Sequence, residues 1–161
     1  MDDECWFCDH NRGDATPPGG WLVETDGWRA GHVPGGWGPV GTVVLETVEH
    51  HESLADLPDE MALGFTRLLG RTQDAVCAVT GATRAYVWAT MDRHPHLHVW
   101  VVPWPEGHRL RGPRYLVEVL TFAEGNPDDE EGAVRAADEL RALLSEDPAR
   151  ASATSSGPRS R

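Results

Sequence analysis

Residues 91–104, MDRHPHLHVWVVPW, place three histidines at alternate positions in front of an apolar run. Side chains alternate between the two faces of a β-strand, so a strand here puts one aromatic and three imidazole rings on the same face. These residues are His94, His96, His98 and Trp100. Clustered imidazoles repel one another when charged, which favours the neutral ring, the form that binds metal or acts as a nucleophile. The stretch therefore predicts a functional strand.

The composition excludes several classes of protein. The chain has 161 residues, enough for one domain with appendages. Its net charge is −12 and it contains no lysine, which argues against nucleic acid as a partner. No apolar run approaches the ~20 residues of a membrane span, and the acidic N-terminus lacks the pattern of a secretory signal. We expect a cytoplasmic protein with no membrane partner.

Two of the three cysteines form a Cys5-x-x-Cys8 pair. Such a pair in a cytosolic chain is a metal half-site or a redox pair. The redox interpretation expects a helix N-terminus within a βαβ pattern. Here the pair opens the chain and is followed by Asp, Asn, Gly and Pro, so metal binding is favoured.

The remaining pattern predicts an α+β fold. After a loop-rich segment at 1–20, a hairpin is predicted about Asp26-Gly27 and a further strand at 42–48. Apolar residues then recur at three- and four-residue steps between Pro58 and Gly81, which predicts a helix of about twenty residues.

Two strands are predicted next, at 84–90 and 95–103, with Pro103 ending the second. Beyond them lie an Arg/Gly loop, a β-like segment at 115–122, an acidic loop and a helix at 133–144. The Ser/Pro/Arg-rich tail is predicted to be disordered.

This order of features resembles the histidine triad superfamily over residues 5–105. The family signature is His-x-His-x-His, two apolar residues and often proline, after a strand, a helix and another strand. Cys5-x-x-Cys8 resembles the N-terminal half-site of zinc-bearing members, and VVLETVEHHESLADL (43–57) resembles a strand that ends at a zinc-binding histidine. The resemblance implies a histidine-triad-like domain at 1–105, an antiparallel sheet with one long helix. A C-terminal helical extension would occupy 106–146 and a disordered tail 147–161.

The resemblance leaves two registers for the triad. Counting back from Pro103 gives His96-Leu-His98-Val-Trp100, with tryptophan in place of the third histidine. His96 is then a zinc ligand and His98 the nucleophile. Counting from the first histidine gives His94-Pro-His96, which resembles the sugar-1-phosphate nucleotidylyltransferases, with His94 on zinc and His96 as nucleophile. We favour the first register because the Pro103 offset fixes where the strand ends.

In the first register, the resemblance implies a structural zinc ion held by Cys5, Cys8, His50 and His96. Four N/S ligands make a closed tetrahedral site, which ties the N-terminal segment to the catalytic strand. His51 competes with His50 for the metal, and His50 takes the family position.

The implied chemistry is attack of His98 on the α-phosphorus of a nucleotide, through a nucleotidyl-histidine intermediate. The expected enzyme is a hydrolase of a dinucleoside polyphosphate or a nucleoside phosphoramidate, and the resemblance also implies a homodimer. Phosphate donors would be the Trp100 indole N–H and three arginines that follow the strand, Arg109, Arg111 and Arg114. Trp21, Val23 and Trp37 are candidate walls of a nucleoside pocket.

Two alternatives stay open, the first because of the His94-Pro-His96 register and the second because Trp100 cannot carry a proton. One is a nucleotidylyltransferase. The other is a catalytically silent zinc protein that binds a nucleotide or a protein partner.

Overall fold

The computed structural model describes residues 5–12, 16–123, 125 and 127–145. The tail predicted to be disordered, 147–161, lies outside the described residues. The helices are α1 (Trp6–Arg12), α2 (Asp59–Thr80), α3 (Pro113–Val119) and α4 (Pro127–Ser145), with a 3-10 turn at Leu54–Asp56. The strands are β1 (Val23–Thr25), β2 (Trp28–His32), β3 (Val43–Thr47), β4 (Arg84–Trp88) and β5 (His98–Trp104).

The five strands form one antiparallel sheet in the order β1-β2-β3-β5-β4. The predicted hairpin is confirmed: Thr25 pairs with Trp28 across a two-residue turn. Asp26 and Gly27 both have positive φ, at 51° and 76°, the backbone that a type I′ turn requires. The α+β class with an antiparallel sheet is therefore as predicted.

Helices α2 and α4 cover one face of the sheet. The predicted long helix is confirmed as Asp59–Thr80, and it ends at Gly81, whose φ of 69° gives the left-handed cap. Apolar side chains of β2, β3, β5, α2 and α4 share one buried core, which includes Ala30, Leu45, Leu68, Val76, Val101 and Leu140. The C-terminal extension thus packs into the core of the sheet, while its boundary at residue 105 stays a prediction.

The opposite face of the sheet is only partly covered. At one end, Tyr115 and Leu116 of α3 pack with Val102 and Trp104 of β5 in a second cluster. At the other end α1 lies over the start of β5, where its Phe7 ring stacks on His98. The space between α1 and α3 is where the site lies.

The strand that carries the triad differs from the prediction at both ends. It starts at His98, so His94 and His96 lie in the preceding segment rather than on the strand. It also continues through Pro103 to Trp104. Pro103 pairs with Ala85 of β4, beyond the last residue of β5 that pairs with β3, Val101. A residue without N–H is tolerated there because one side of the strand is free of ladder bonds.

Three further predictions were wrong in detail. The β-like segment 115–122 is mostly helix α3, because Pro113 sets the first turn and a short apolar run has no decisive periodicity. The loop-rich lead-in contains α1. Helix α4 begins at Pro127, earlier than residue 133, since proline suits a first helical position.

Among the described residues, no helix combines the length and apolar character needed to cross a membrane.

Candidate active site and metal site

Four side chains from three separate segments converge beside the start of β5. Cys5 and Cys8 come with α1, His50 follows β3, and His96 precedes β5. Their potential ligand atoms all lie within 4.8 Å of one another. These are the four residues that the sequence predicted as a ligand set.

The spacing of the four donors fits a tetrahedral metal site. Cys5 Sγ lies 3.5 Å from His96 Nδ1, and Cys8 Sγ lies 3.4 Å from His50 Nδ1 and 3.5 Å from His96 Nδ1. With Zn–S bonds of about 2.3 Å and Zn–N bonds of about 2.0–2.1 Å, sulfur and nitrogen ligands of one tetrahedral zinc lie about 3.6 Å apart. The group can therefore hold such an ion with little rearrangement.

The two histidines of the group have partners for their second nitrogens. His96 is fully buried, and its Nε2–H donates to the Thr47 carbonyl at 2.8 Å, which leaves the Nδ1 lone pair toward the sulfurs. His50 Nε2 lies 3.5 Å from a Glu52 carboxylate oxygen. Such partners orient metal-binding imidazoles. Burial lowers the pKa of His96, and the neighbouring His50 and His98 lower it further, so the neutral ligand form is favoured.

His51 lies outside this group. Its backbone carbonyl accepts a hydrogen bond from Leu97 N–H at 2.6 Å, which joins the end of β3 to the segment before β5. The geometry favours His50 over His51, in agreement with the sequence prediction.

His98, the first residue of β5, has a fixed tautomer. Its Nδ1 lies 2.6 Å from the His96 carbonyl, which can only accept, so Nδ1 carries the hydrogen and Nε2 keeps a lone pair. Burial lowers the pKa of His98, and the neighbouring His94 lowers it further. The ring is therefore held neutral with one nitrogen available, the state that nucleophilic attack requires.

Phe7 connects the metal group to His98. Its ring stacks on His98 with centroids 4.5 Å apart and on His96 at 5.1 Å. Phe7 is buried although it lies on a short helix near the end of the chain. Phe7 was not among the predicted site residues; the signal in the sequence was its position between the two cysteines, which a shared metal would fix in space.

Two cavities open on this face of the sheet. The larger, here called the His98 cavity, has a volume of about 690 Å³. Its walls are Trp6, Phe7, Trp37, Trp88, Thr90, Asp92, Arg93, His94, His98, Trp100 and Phe122. The smaller, the Glu46 cavity, has a volume of about 230 Å³, and Pro17, Trp21, Val33, Val44, Glu46 and Glu130 are among its walls. Both cavities are bounded by Trp6, Phe7, Trp37 and Trp100.

Two of the three residues predicted to line a nucleoside pocket do line a cavity. Trp21 and Trp37 line the Glu46 cavity, whereas Val23 packs against the core on the other side of the sheet. The prediction for Val23 was therefore wrong, because its place in the strand directs it to the helix-covered face.

The three arginines predicted as phosphate donors lie elsewhere. Arg109 forms an ion pair with Glu118 at 2.5 Å, and the Arg111 guanidinium lies over the Trp104 ring at 5.1 Å. Among the residues that the structure describes, the walls of the His98 cavity exclude both of them and Arg114, and include Arg93. Sequence analysis missed Arg93, although it stands immediately before His94.

A buried ion pair lies beside His98. Glu46 of β3 pairs in register with Arg29 of β2 on one side and with His98 on the other. Arg29 Nε donates to Glu46 Oε1 at 2.9 Å, and the guanidinium stacks over the Trp21 ring at 3.8 Å. The two opposite charges are buried together at the wall of the smaller cavity, so neither is left isolated.

No protein-family model matches the chain, and no curated protein matches its sequence. Solved structures do match. A HIT-like protein involved in cell-cycle regulation from Bartonella henselae aligns with a TM-score of 0.65 at 19% identity, over 89% of this chain and 98% of that one. A Zn-bound histidine triad family protein from Mycobacterium smegmatis aligns with a TM-score of 0.62 at 21% identity, over 93% and 96%.

A hypothetical histidine triad nucleotide-binding protein from Sulfolobus tokodaii also aligns, with a TM-score of 0.62 at 14% identity, over 87% of this chain and 91% of that one. At these identities the comparisons show the fold alone.

Proposed function

We propose that this chain, which has the histidine triad fold, is a zinc-bearing nucleotide hydrolase whose nucleophile is His98. The observation that carries the proposal is the hydrogen bond from His98 Nδ1–H to the His96 carbonyl at 2.6 Å. It leaves Nε2 as a lone-pair nitrogen on a residue that lines a 690 Å³ cavity. A neutral imidazole so oriented is a competent nucleophile at neutral pH.

In the proposed reaction, His98 Nε2 attacks the α-phosphorus of a dinucleoside polyphosphate or nucleoside phosphoramidate. The nitrogen–phosphorus bond forms while the bond to the leaving group breaks, and the leaving group takes up a proton. Water then attacks the same phosphorus and gives up a proton, which releases the nucleoside monophosphate and restores the neutral ring. Both steps balance without a redox partner.

The phosphate oxygens need donors. Arg93 suits this role better than Arg109, Arg111 or Arg114, because it lies on the wall of the His98 cavity. The Trp100 indole N–H is the second candidate, since this residue also lines the cavity. The nucleoside is assigned to the Glu46 cavity, whose walls include the aromatic rings of Trp21 and Trp37.

Cys5, Cys8, His50 and His96 would hold the zinc, as the donor spacing supports. With four protein ligands, zinc supplies a structural cross-link and has no open position for substrate. The ligand set joins α1 to the segment that leads into β5. All bond making is left to His98.

The burial of His96 supports this register over the nucleotidylyltransferase alternative. Both of its ring nitrogens have partners, the cysteine sulfurs and Thr47. His94 lies outside the ligand group and packs on Trp6 and Phe7, with ring centroids 5.8 Å and 5.9 Å apart.

One observation favours a catalytically silent protein instead: the Phe7 ring covers one face of His98. A single experiment distinguishes the two functions. The protein is mixed rapidly with adenosine and guanosine phosphoramidates, quenched with acid that is neutralised at once, and analysed by intact mass. The hydrolase should release one leaving group per site in a burst and gain the mass of one nucleotidyl group. A silent protein binds the nucleotide and gains no mass.

A further inference from the structure

We infer that the His98 cavity is a subsite for a flat aromatic leaving moiety; this rests on the proposed function and specifies its substrate class. Besides the histidines, six of the residues on its walls are aromatic. They are Trp6, Phe7, Trp37, Trp88, Trp100 and Phe122. They come from α1, the segment after β2, β4, β5 and the segment after α3, so rings that are distant in sequence converge on one space.

The non-histidine polar residues on the walls have a single origin. Thr90, Asp92 and Arg93 all belong to the connection between β4 and β5, which also carries His94. The cavity therefore has one polar wall, the segment just before the nucleophile in sequence, and aromatic walls that come from the other elements. This arrangement suits a ligand with a charged phosphoryl group and a flat apolar ring.

Trp100 determines the character of the subsite beside His98. The two residues are adjacent on the same face of β5, and Trp100 is paired across the ladder with Trp88 of β4. Trp100 offers a stacking surface and one N–H, and it has neither charge nor a transferable proton. The surface next to the nucleophile thus offers an aromatic group a face on which to stack.

Phe122, on the aromatic wall, has an unfavourable backbone conformation and an exposed side chain. Its φ of 51° lies in the left-handed region, which is unfavourable for a bulky side chain, and its ring is 57% exposed. The ring nevertheless contacts Trp37 and Trp100, with centroids 5.8 Å and 5.4 Å apart. Thr121 Oγ1–H holds the segment by donating to the Gly36 carbonyl at 2.5 Å. A flat ligand that stacks on the ring would cover its exposed apolar surface.

The arrangement of the two cavities indicates how the substrate is oriented. They share Trp6, Phe7, Trp37 and Trp100 as walls, so the two cavities are adjacent, and His98 lies on the wall of the larger one. A nucleoside in the Glu46 cavity directs its phosphate toward His98 and its leaving moiety into the His98 cavity. The larger volume is thus available for the leaving moiety.

The test compares two leaving groups of the same carbon skeleton, one flat and one puckered. The ligands are the adenosine and guanosine 5′-phosphoramidates of benzylamine and of cyclohexylmethylamine. Affinity is measured by calorimetry on His98→Ala, which cannot form the nucleotidyl adduct, so the result is independent of catalysis. We expect the benzyl compound to bind roughly 3- to 10-fold more tightly, the range typical of an aromatic pair beyond its buried area.

The variant that tests the wall is Phe122→Leu in the His98→Ala background, chosen because the ring is largely exposed and its loss spares the core. It should lower the benzyl to cyclohexylmethyl affinity ratio, while the five remaining aromatic walls keep the ratio above one. Val117→Ala in the same background truncates an exposed apolar side chain away from the cavity and should keep the ratio.

Equal affinity for the two compounds, no binding of either, or a ratio unaffected by Phe122→Leu overturns the inference. The proposed hydrolase activity has its own readout, the nucleotidyl adduct on the unsubstituted protein. Loss of that adduct with a retained benzyl preference contradicts the activity alone.

Discussion

His96→Ala should cost this protein both its metal and much of its stability, whereas His98→Ala should abolish the chemistry, keep the metal and destabilise the fold less. His96 is fully buried, and its Nε2 lies 2.8 Å from the Thr47 carbonyl and 3.1 Å from Thr47 Oγ1. Leaving buried polar groups unpaired costs about 1–3 kcal/mol. With the cavity left by a large buried ring, the total is roughly 3–5 kcal/mol. For a domain of this size, that corresponds to a melting temperature lower by about 6–20 °C.

His98 makes fewer contacts. Its hydrogen bond goes to the His96 carbonyl, which lies on the backbone and stays in place when the side chain is removed. The residue is outside the group of four potential ligands. His98→Ala should therefore keep the metal and lose less stability than His96→Ala, although it removes a buried ring that stacks on Phe7. Nucleotidyl transfer should fall by several orders of magnitude, as the loss of a covalent nucleophile requires.

The assay is zinc content by plasma emission spectrometry after gel filtration, together with thermal melting and the nucleotidyl adduct mass. His51→Ala is the matched control, because that histidine joins the site through its backbone carbonyl and should keep both zinc and adduct. Full zinc content in His96→Ala would refute the ligand assignment. Full turnover in both His96→Ala and His98→Ala would refute the enzymatic proposal.

Three further outcomes are expected. The protein should hold about one zinc per chain, and Cys5→Ser with Cys8→Ser should lower both the metal content and the melting temperature, since structural zinc contributes to folding free energy; equal metal in both proteins contradicts this. Burial lowers the pKa of His32 from 6.5, so as the pH falls the imidazole is protonated in the unfolded chain before it is protonated in the folded protein. The free energy of unfolding, measured with urea, should therefore be constant above pH 6.5 and decrease below it. His32→Gln should flatten that fall, and an unchanged slope excludes the residue as its source. Light scattering at micromolar concentration should give the mass of a homodimer, and a monomer mass contradicts the assembly.

The predictable part of the fold is the part that local sequence rules determine. The Asp26-Gly27 turn and the helix between Pro58 and Gly81 followed from turn chemistry and periodicity. Segment 115–122 did not, because its apolar run fits a strand or a helix until Tyr115 and Leu116 find their partners on β5. Tertiary packing decided that element.

The site, like the fold, has a part that the sequence predicted and a part that it did not. The Cys5-x-x-Cys8 pair predicted a metal half-site from its chemistry, and the family resemblance completed the ligand set with His50 and His96. Trp37 and Trp100 of the cavity walls were predicted as site residues, but Phe7 and Phe122 were not, because they reach the site from distant parts of the chain and have no motif of their own. A ligand set has a chemical pattern in sequence, whereas a wall is defined only by what the fold brings next to it.

The position of Phe7 links the metal to the reaction. Helix α1 has seven residues, too few to be stable alone. It is held in place by Cys5, which precedes it, by Cys8 in its first turn, and by the Phe7 ring, which stacks on His96 and His98. The main apolar core lies on the opposite face of the sheet and does not depend on this helix. Loss of the metal should therefore release Phe7 and open the His98 cavity before it unfolds the sheet, so a structural ion controls the environment of a nucleophile that it does not touch.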